Sequence, residues 1–351
     1  MIRANHVTLL RMILLPIPCY LMFGGFAERV AALIIFTMLG LTDYFDGYLA
    51  RKHGVTTLGA LLDPIADKIF ITAVYIPFAR MEIVPLWMVV LLLIREYMVV
   101  ELRSISASSG IMLKTATLAK YKTSIQMLGA GFIFLIDTLG QSPYVFIPLG
   151  GCLLLPALPG FLSWNRVRRI GPRTMTSVVL VGTVFCARLF LPPQKAIWII
   201  MAIILAITLA SGIHYFTTGT AHLRAHLLQK FKAREWTAFL GATVVFPILY
   251  VSLAQSKSLA AWVVIAILSL EFAIGGLDNL LLALGVQKDY NLSPKLTFFQ
   301  NAMGTLVIVI LIIAPPGYHA WAQVIVWAVL AVTFLHSFRQ FYVHRVHFLS
   351  A

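Results

Sequence analysis

Four aspartates stand close together in a part of the chain that is otherwise rich in apolar residues. They are Asp43, Asp46, Asp63 and Asp67, within TDYFDGYLARKHGVTTLGALLDPIADK at residues 42–68. The first two are three residues apart and the last two are four apart, so each pair shares one face of a helix. Four crowded carboxylates repel one another unless a cation neutralises them, and the hard ions Mg²⁺ and Mn²⁺ prefer oxygen ligands. Two such ions side by side can hold a phosphate or pyrophosphate for displacement.

Small and basic residues accompany these aspartates. Gly47 and Ala50 follow the first pair and Gly59 precedes the second, which lets a bulky ligand approach the backbone closely. Arg51 and Lys68 add positive charge that can contact an anionic ligand. The alternative is that the acids are ordinary solvated helix ends, with those at the start of a helix favouring its dipole. Four aspartates interleaved with three small residues favour a ligand site over that alternative.

The helices that position these residues must lie in a membrane. Of the 351 residues, 60% are hydrophobic and 11% are charged, whereas a soluble domain carries about 25% charged residues. A transmembrane helix needs about 20 apolar residues, and a backbone in lipid must satisfy its own hydrogen bonds, which favours helices over open strands. We therefore predict an all-α integral membrane protein, a polytopic helical bundle.

Apolar windows of that length predict about 10–12 transmembrane helices. The windows lie near residues 8–25, 30–50, 60–79, 84–104, 117–137, 143–163, 174–192, 195–216, 236–254, 259–284, 297–314 and 320–341. Lys and Arg are concentrated at the ends of the even-numbered windows, in segments such as ARKHG and WNRVRRIGPR. By the positive-inside rule, these ends and both termini face the cytoplasm. The aspartates of residues 42–68 are then cytoplasmic as well.

The net charge of +14 comes mostly from basic clusters between the apolar windows. Such clusters anchor cytoplasmic loops and attract the anionic headgroups of membrane lipids. A nucleic-acid partner is the rival explanation, but no basic domain stands clear of the membrane to bind one. We therefore predict contact with membrane lipids and no nucleic-acid partner.

The aspartate stretch resembles the signature of the CDP-alcohol phosphotransferase family. The matching residues are Asp43, Asp46, Gly47, Ala50, Arg51, Gly59, Asp63 and Asp67. The resemblance implies that Asp43, Asp46 and Asp63 hold two Mg²⁺ or Mn²⁺ ions with Asp67 alongside. Asp67 is then also the general base on the acceptor hydroxyl. The reaction of the family releases CMP from a CDP-linked lipid. The pocket for CDP is expected to be lined by the remaining signature residues together with Asp46.

The opening segment NHVTLLRMILLP resembles the first helix of the same family. Asn5, Thr8 and Arg11 stand at its start. We expect Asn5 and Thr8 to lie beside the CDP-lipid. A six-helix core of the family's type is the fold that this resemblance implies for the N-terminal part of the chain.

Four cations after the aspartate stretch are candidates for binding an acceptor phosphate: Arg95, Arg103, Lys120 and Lys122. Arg95 lies inside an apolar window, where a cation usually has an anionic partner. Glu96 and Glu101 offer an internal ion pair as the alternative, and positive-inside anchoring explains the other three equally well. The pattern IRE…LR…AKYKTSIQM nevertheless resembles the phosphatidylglycerophosphate synthases, which implies sn-glycerol 3-phosphate as acceptor and CDP-diacylglycerol as donor.

The leading hypothesis is therefore an enzyme of phospholipid biosynthesis in a bacterial-type inner membrane, with its active site on the cytoplasmic side. It would transfer a phosphatidyl group from CDP-diacylglycerol to sn-glycerol 3-phosphate. One alternative is a sibling enzyme whose acceptor is inositol phosphate, serine or phosphatidylglycerol. Another is a transporter or a membrane scaffold. The retention of all the signature residues argues against this alternative. The resemblance also implies a homodimer.

The resemblance covers residues 1–137, and the chain then departs from the six-helix pattern. The segment 203–223 resembles the closing helix of the family, so we assign residues 1–220 to the CDP-alcohol phosphotransferase-like domain. Residues 143–192 are then an inserted helix pair. The alternative is that the window at 143–163 closes the core and everything later is appended.

Residues 221–236 alternate basic and apolar residues at helical spacing, which predicts an amphipathic helix at the membrane interface. Residues 237–351, the C-terminal extension, form further membrane helices of unknown role. Within them, EFAIGGLDN places Glu271 and Asp278 on one helix face. These acids indicate a second ligand or ion site; alternatively, the glycine pair between them marks close helix packing with the acids hydrogen-bonded to a neighbour.

Overall fold

A computed structural model describes residues 4–53, 56–108, 117–140, 142–154, 172–218, 233–286 and 294–349, and the architecture below concerns these residues. The regular elements among them are helical and include no strand. This confirms the prediction of an all-α protein.

The described N-terminal part of the chain contains nine α-helices. They are α1 (Ala4–Leu14), α2 (Pro16–Leu21), α3 (Phe26–His53), α4 (Thr57–Arg80), α5 (Leu86–Ser108), α6 (Thr117–Leu139), α7 (Phe146–Leu154), α8 (Pro172–Phe190) and α9 (Pro193–Thr218). The window predicted at 8–25 is divided in two, because Pro16 has no backbone N–H to continue α1 and starts α2 instead. The other windows of this part coincide with helices, except that the window at 143–163 is described only as far as residue 154, where α7 ends.

The described C-terminal part contains six α-helices and one π-helical turn. They are α10 (Ala233–Leu240), the π-turn (Gly241–Val245), α11 (Phe246–Gln255), α12 (Ala261–Ala283), α13 (Pro294–Ile313), α14 (His319–His344) and α15 (Val346–Leu349). Most of the interfacial helix predicted at 221–236 lies outside the described residues. The helix described nearest to it begins at Ala233.

Five described stretches are long and apolar enough to cross a membrane. They are Pro193–Ile213, Trp236–Gln255, Ala261–Ala283, Lys295–Ile313 and Pro316–His344. The helices α4 and α5 are as long, but their apolar sequence is interrupted by the charged residues of the predicted site. The chain is therefore a multi-pass membrane protein, while the total of 10–12 spans stays a prediction.

The helices that carry the predicted site are surrounded by others on several sides. The first helix, α1, packs on α3 and α4, and α9 packs on α5 and α6. On the other side, α12 packs on both α4 and α5. One continuous cluster of buried apolar side chains includes Leu92 of α5 and Ile267 of α12. The C-terminal extension therefore shares a hydrophobic core with the N-terminal part.

Candidate active site

The helix α4 presents Asp63 and Asp67 toward α1. The Thr8 hydroxyl donates to Asp63 Oδ1 at 3.2 Å, and Arg11 Nη2 lies 3.6 Å from Asp67 Oδ1. Thr8 and Arg11 are 0% and 2% exposed, respectively, whereas the Asp67 side chain is 29% exposed and Asp63 is exposed. The buried face of α1 thus holds two of the four predicted metal ligands in place while these carboxylates stay accessible.

The start of α4 is tied to the start of α1. Thr56 is the N-cap of α4, and its hydroxyl accepts the Gly59 N–H at 3.0 Å. The Asn5 amide donates to the same hydroxyl at 2.9 Å. A β-carbon on Gly59 would lie 2.8 Å from Asn5 Oδ1, so the position accommodates only glycine without a shift of its neighbours. Asn5 and Gly59, both predicted to contact the CDP-lipid, are therefore in contact with each other.

Several predicted site residues lie where the structure describes no side chains. These are Asp43, Asp46, Gly47, Ala50, Arg51 and Lys120. The backbone of α3 is helical through residues 26–53, so the three-residue spacing does place Asp43 and Asp46 on one side of that helix. The assignment of the six residues to the metal ions, the CDP-lipid and, for Lys120, the acceptor phosphate stays a prediction.

Glu96 of α5 is the centre of a buried polar cluster. It accepts hydrogen bonds from Arg95 Nη1 at 3.3 Å and from Lys122 Nζ at 2.5 and 2.7 Å. Gln126 Nε2 donates to the same carboxylate at 3.2 Å. Arg95, Glu96 and Lys122 are 6%, 2% and 7% exposed, respectively. The internal ion pair that the sequence left open is therefore formed, and it includes Lys122 as well as Arg95.

The helix α9 completes this cluster. Ser211 Oγ accepts from Arg95 Nη2 at 2.7 Å, and Thr208 Oγ1 accepts from Gln126 Nε2 at 3.1 Å. A β-carbon on Gly212 would lie 3.1 Å from Arg95 Cγ, so α9 approaches the arginine closely. We call Arg95, Glu96, Lys122, Gln126, Thr208 and Ser211 the Glu96 cluster.

Gln126, Thr208 and Ser211 were missed by the sequence analysis, which considered Glu96 only as an ion-pair partner. A signal for them existed in the sequence. Gln126 follows Lys122 by four residues and Ser211 follows Thr208 by three, so each pair lies on one face of an apolar helix. Polar residues that share a face in an apolar segment indicate a buried polar contact.

Lys68 of α4 directly follows Asp67 in the sequence, and Arg103 lies two turns after Glu96 on α5. Lys68 Nζ donates to the Pro64 carbonyl of its own helix at 3.1 Å. Its charge is within electrostatic range of Asp67, Glu96, Arg95 and Arg103. Arg103 is half-buried on α5. Lys68 is therefore close to charged residues of both groups, the aspartates of α4 and the Glu96 cluster.

In the C-terminal extension, Glu271 of α12 accepts a hydrogen bond from Gln300 Nε2 of α13 at 2.5 Å. Gln300 also donates to Thr333 of α14 at 3.1 Å. Glu271, Gln300 and Glu101 border a cavity of about 20 Å³, which is room for about one water molecule. The hydrogen bond to a neighbouring helix is the packing alternative left open by the sequence, and it accounts for Glu271.

Among the side chains that the structure describes, no group of three or more His, Cys, Asp and Glu is arranged to hold a metal ion. Asp43 and Asp46 lie outside that set. The described half of the predicted metal site, Asp63 and Asp67, supplies carboxylate oxygens at an accessible position. That donor chemistry fits a hard divalent ion.

Comparison with known proteins gives matches in the N-terminal part of the chain. The family model for CDP-alcohol phosphatidyltransferase matches residues 1–156. A CDP-diacylglycerol–glycerol-3-phosphate 3-phosphatidyltransferase from Bacillus subtilis is 33% identical over 145 residues, which are 37% of this chain and 75% of that protein. The enzyme of that name from Rickettsia typhi is 34% identical over 150 residues, 39% of this chain and 83% of that protein. A probable phosphatidylglycerophosphate synthase from Mycobacterium tuberculosis is 38% identical over 137 residues, 38% of this chain and 65% of that protein.

Proposed function

We propose, since the chain belongs to the CDP-alcohol phosphatidyltransferase family, that it transfers a phosphatidyl group from CDP-diacylglycerol to sn-glycerol 3-phosphate. The products are phosphatidylglycerol phosphate and CMP. The observation that carries the proposal is the arrangement of Asp63 and Asp67 against Thr8 and Arg11. All four residues belong to the segment that matches the family.

The four signature aspartates would hold two divalent ions, Mg²⁺ or Mn²⁺. When bound, these ions neutralise the pyrophosphate of the donor and the charge that develops on the departing CMP. Thr8 and Arg11 orient Asp63 and Asp67 from the buried side of α4. Asp67 accepts the proton of the acceptor hydroxyl, so that the alcohol oxygen bonds to phosphorus as the bond to CMP breaks.

The Glu96 cluster supports an acceptor that carries a phosphate. Arg95 and Lys122 bring two positive charges and Glu96 brings one negative charge, so the three together keep a net positive charge. Lys68 lies within electrostatic range of Glu96 and Arg95. A phosphate is attracted to such a site, whereas an uncharged alcohol gains nothing from it. We assign Arg95, Arg103, Lys120 and Lys122 to the acceptor side of the site.

Residues 1–220 form the catalytic domain in this proposal, with 143–192 as an inserted helix pair. The support is the position of α9, which contributes Thr208 and Ser211 to the Glu96 cluster as a core helix would. The active site faces the cytoplasm at a bacterial-type inner membrane, where the basic loop ends lie. A homodimer is part of the same proposal.

The direct test is CMP release by the protein purified in detergent with CDP-diacylglycerol and Mg²⁺. We expect release that depends on sn-glycerol 3-phosphate and that stops when a chelator removes the metal. Asp67→Asn should abolish release, since an amide cannot accept the proton. Asp137→Asn is the matched control, because Asp137 pairs with Arg29 away from the site. Substantial turnover by Asp67→Asn would exclude the base role.

The second candidate is a sibling enzyme with another acceptor alcohol. Inositol phosphate also carries a phosphate and would use the same positive cluster, so it is the strongest competitor. Adding each alcohol to the assay in turn, and then in competition with sn-glycerol 3-phosphate, separates the two. Release with another alcohol alone would keep the reaction and reassign the acceptor.

A further inference from the structure

Two adjacent glycines of α12 contact two different helices of the candidate active site. Gly276 faces Ile65 of α4, and Gly275 faces Val100 of α5. We infer that α12 of the C-terminal extension is a positioning element for the reaction, and that it sets the placement of the aspartate helix relative to the helix of the Glu96 cluster. The inference rests on the proposed function and assigns a role to a part of the chain outside the family match.

The contact between Gly276 and Ile65 bears on the aspartates. Ile65 is 2% exposed and stands two residues from Asp63 and two from Asp67. A β-carbon on Gly276 would lie 2.7 Å from Ile65 Cδ1 and closer still to Cγ1. No real β-carbon contact is that short. The backbone of α12 therefore lies directly against α4 at the level of the two aspartates.

The contact between Gly275 and Val100 bears on the Glu96 cluster. Val100 is one turn after Glu96 on α5, and a β-carbon on Gly275 would lie 2.6 Å from its Cγ1. The Asn279 amide donates to the Val100 carbonyl at 3.4 Å and to the Gly275 carbonyl at 2.8 Å. The backbones of α12 and α5 are thus joined by a side-chain amide at this level.

Further contacts prevent α12 from sliding out of this position. The Tyr97 hydroxyl donates to the Leu268 carbonyl at 2.8 Å, and the Tyr97 ring stacks on Phe272 with centroids 4.0 Å apart. Leu277 and Leu281 belong to one buried cluster with Leu61 and Ile65 of α4. Since interiors are close-packed, a group added at either glycine must displace the side chain that it meets, and this disturbs the packing between the two helices.

The two glycines therefore allow two distinguishable perturbations. Gly276→Ala pushes α4 and should weaken Mn²⁺ binding about tenfold, measured calorimetrically in detergent with CDP-diacylglycerol present. Its effect on the acceptor KM should be smaller. Gly275→Ala pushes α5 and should raise the KM for sn-glycerol 3-phosphate by about the same factor, with less change in Mn²⁺ binding.

Each variant has its own compensating change. Ile65→Ala removes the atoms that an alanine at 276 would meet, so Gly276→Ala combined with Ile65→Ala should regain most of the Mn²⁺ affinity. Val100→Ala should restore Gly275→Ala in the same way. Exchanging the partners should restore neither variant. A general loss of stability would not follow this pairing.

Gly131→Ala on α6 is the matched control, because a β-carbon there meets nothing within 4 Å. It should leave Mn²⁺ affinity and KM unchanged. If Gly276→Ala does not fold, Ile65→Val tests the same contact by leaving a gap, and it should also weaken Mn²⁺ binding. Unchanged Mn²⁺ affinity in Gly276→Ala, or in Ile65→Val where Gly276→Ala does not fold, overturns the inference. Equal rescue by either partner overturns it too.

The Mn²⁺ measurement needs no turnover, so failure of the inference can be told apart from failure of the proposed function. A wild-type protein that binds Mn²⁺ but releases no CMP with any alcohol would contradict the function alone. An active wild type with insensitive glycines would contradict the positioning role alone. A wild-type protein that binds no Mn²⁺ in the presence of CDP-diacylglycerol would contradict both the proposed metal site and the positioning role.

Discussion

Glu96 accepts hydrogen bonds from three neighbouring side chains, Arg95, Lys122 and Gln126. Its carboxylate is 2% exposed, so the energy of the arrangement comes from charge pairing away from water. Removing one partner of a buried ion pair costs much more folding free energy than the intact pair contributes, because the other charge is left buried and uncompensated. At the scale of single residues, Glu96 therefore maintains the positions of both cations.

Glu96→Gln tests this role, since glutamine keeps the shape and removes the charge. It leaves Arg95 and Lys122 buried without their carboxylate, and we expect a loss of about 3–5 kcal/mol in stability. The KM for sn-glycerol 3-phosphate should also change, because the two cations are displaced. Thermal unfolding in detergent and steady-state kinetics measure the two effects. Glu82→Gln, at an exposed turn, should change neither, and an unaltered Glu96→Gln protein would contradict the prediction.

At the scale of elements, α4 is held at its first turn and along its length. Thr56 caps its first turn and also binds Asn5 of α1, while α12 lies along its other side. The aspartates are therefore carried by a helix that is supported by α1 and by the C-terminal extension. An α4 whose start is loosened should lose both stability and metal affinity.

Thr56→Val removes the capping oxygen at the start of α4 while keeping the side-chain volume. We expect a loss of about 1 kcal/mol in stability, together with weaker Mn²⁺ binding because Asp63 lies two turns from the cap. Chemical unfolding and calorimetry measure these changes. Thr37→Val is the matched control, since the Thr37 hydroxyl bonds only within its own helix on an exposed face. Equal effects of the two substitutions would exclude a special role for the cap.

At the scale of the whole molecule, Arg80 ties the end of α4 to the C-terminal extension. Its Nη1 donates to the carbonyls of Ala254, Ser256 and Leu259, at 2.9, 2.9 and 2.7 Å. These carbonyls lie where α11 ends and the chain turns toward α12, and such groups have no partner within the helix. Together with the shared hydrophobic cluster, this contact makes the extension part of one folded unit.

Arg80→Met keeps most of the side-chain volume and removes the donor of all three hydrogen bonds. We expect a loss of about 2–4 kcal/mol in stability, because bonds from a charged donor are worth about 1.5–3 kcal/mol each and do not add fully. Unfolding followed by probes in the two parts of the chain should remain one transition. Arg345→Met should have little effect, since Arg345 donates to the Tyr342 carbonyl on an exposed face. A second, separate transition in the wild type would contradict the single unit.

The sequence by itself determined the all-α membrane class, the approximate extent of the helices and the family. Hydrophobic windows are local, and a helix in lipid satisfies its backbone hydrogen bonds within its own segment. The signature is local too, since Asp63 and Asp67 share a face through helical spacing alone. Those features could therefore be derived without knowing which helices are neighbours.

Only the tertiary structure decided which residues meet across the bundle. Thr208 and Ser211 reach the Glu96 cluster from α9, far away in the chain, and no spacing rule relates them to Lys122. The ion pair of Arg95 and the close contacts of Gly275 and Gly276 were open alternatives in the sequence for the same reason. Packing between distant helices depends on the shapes of both partners, which a single local pattern does not contain.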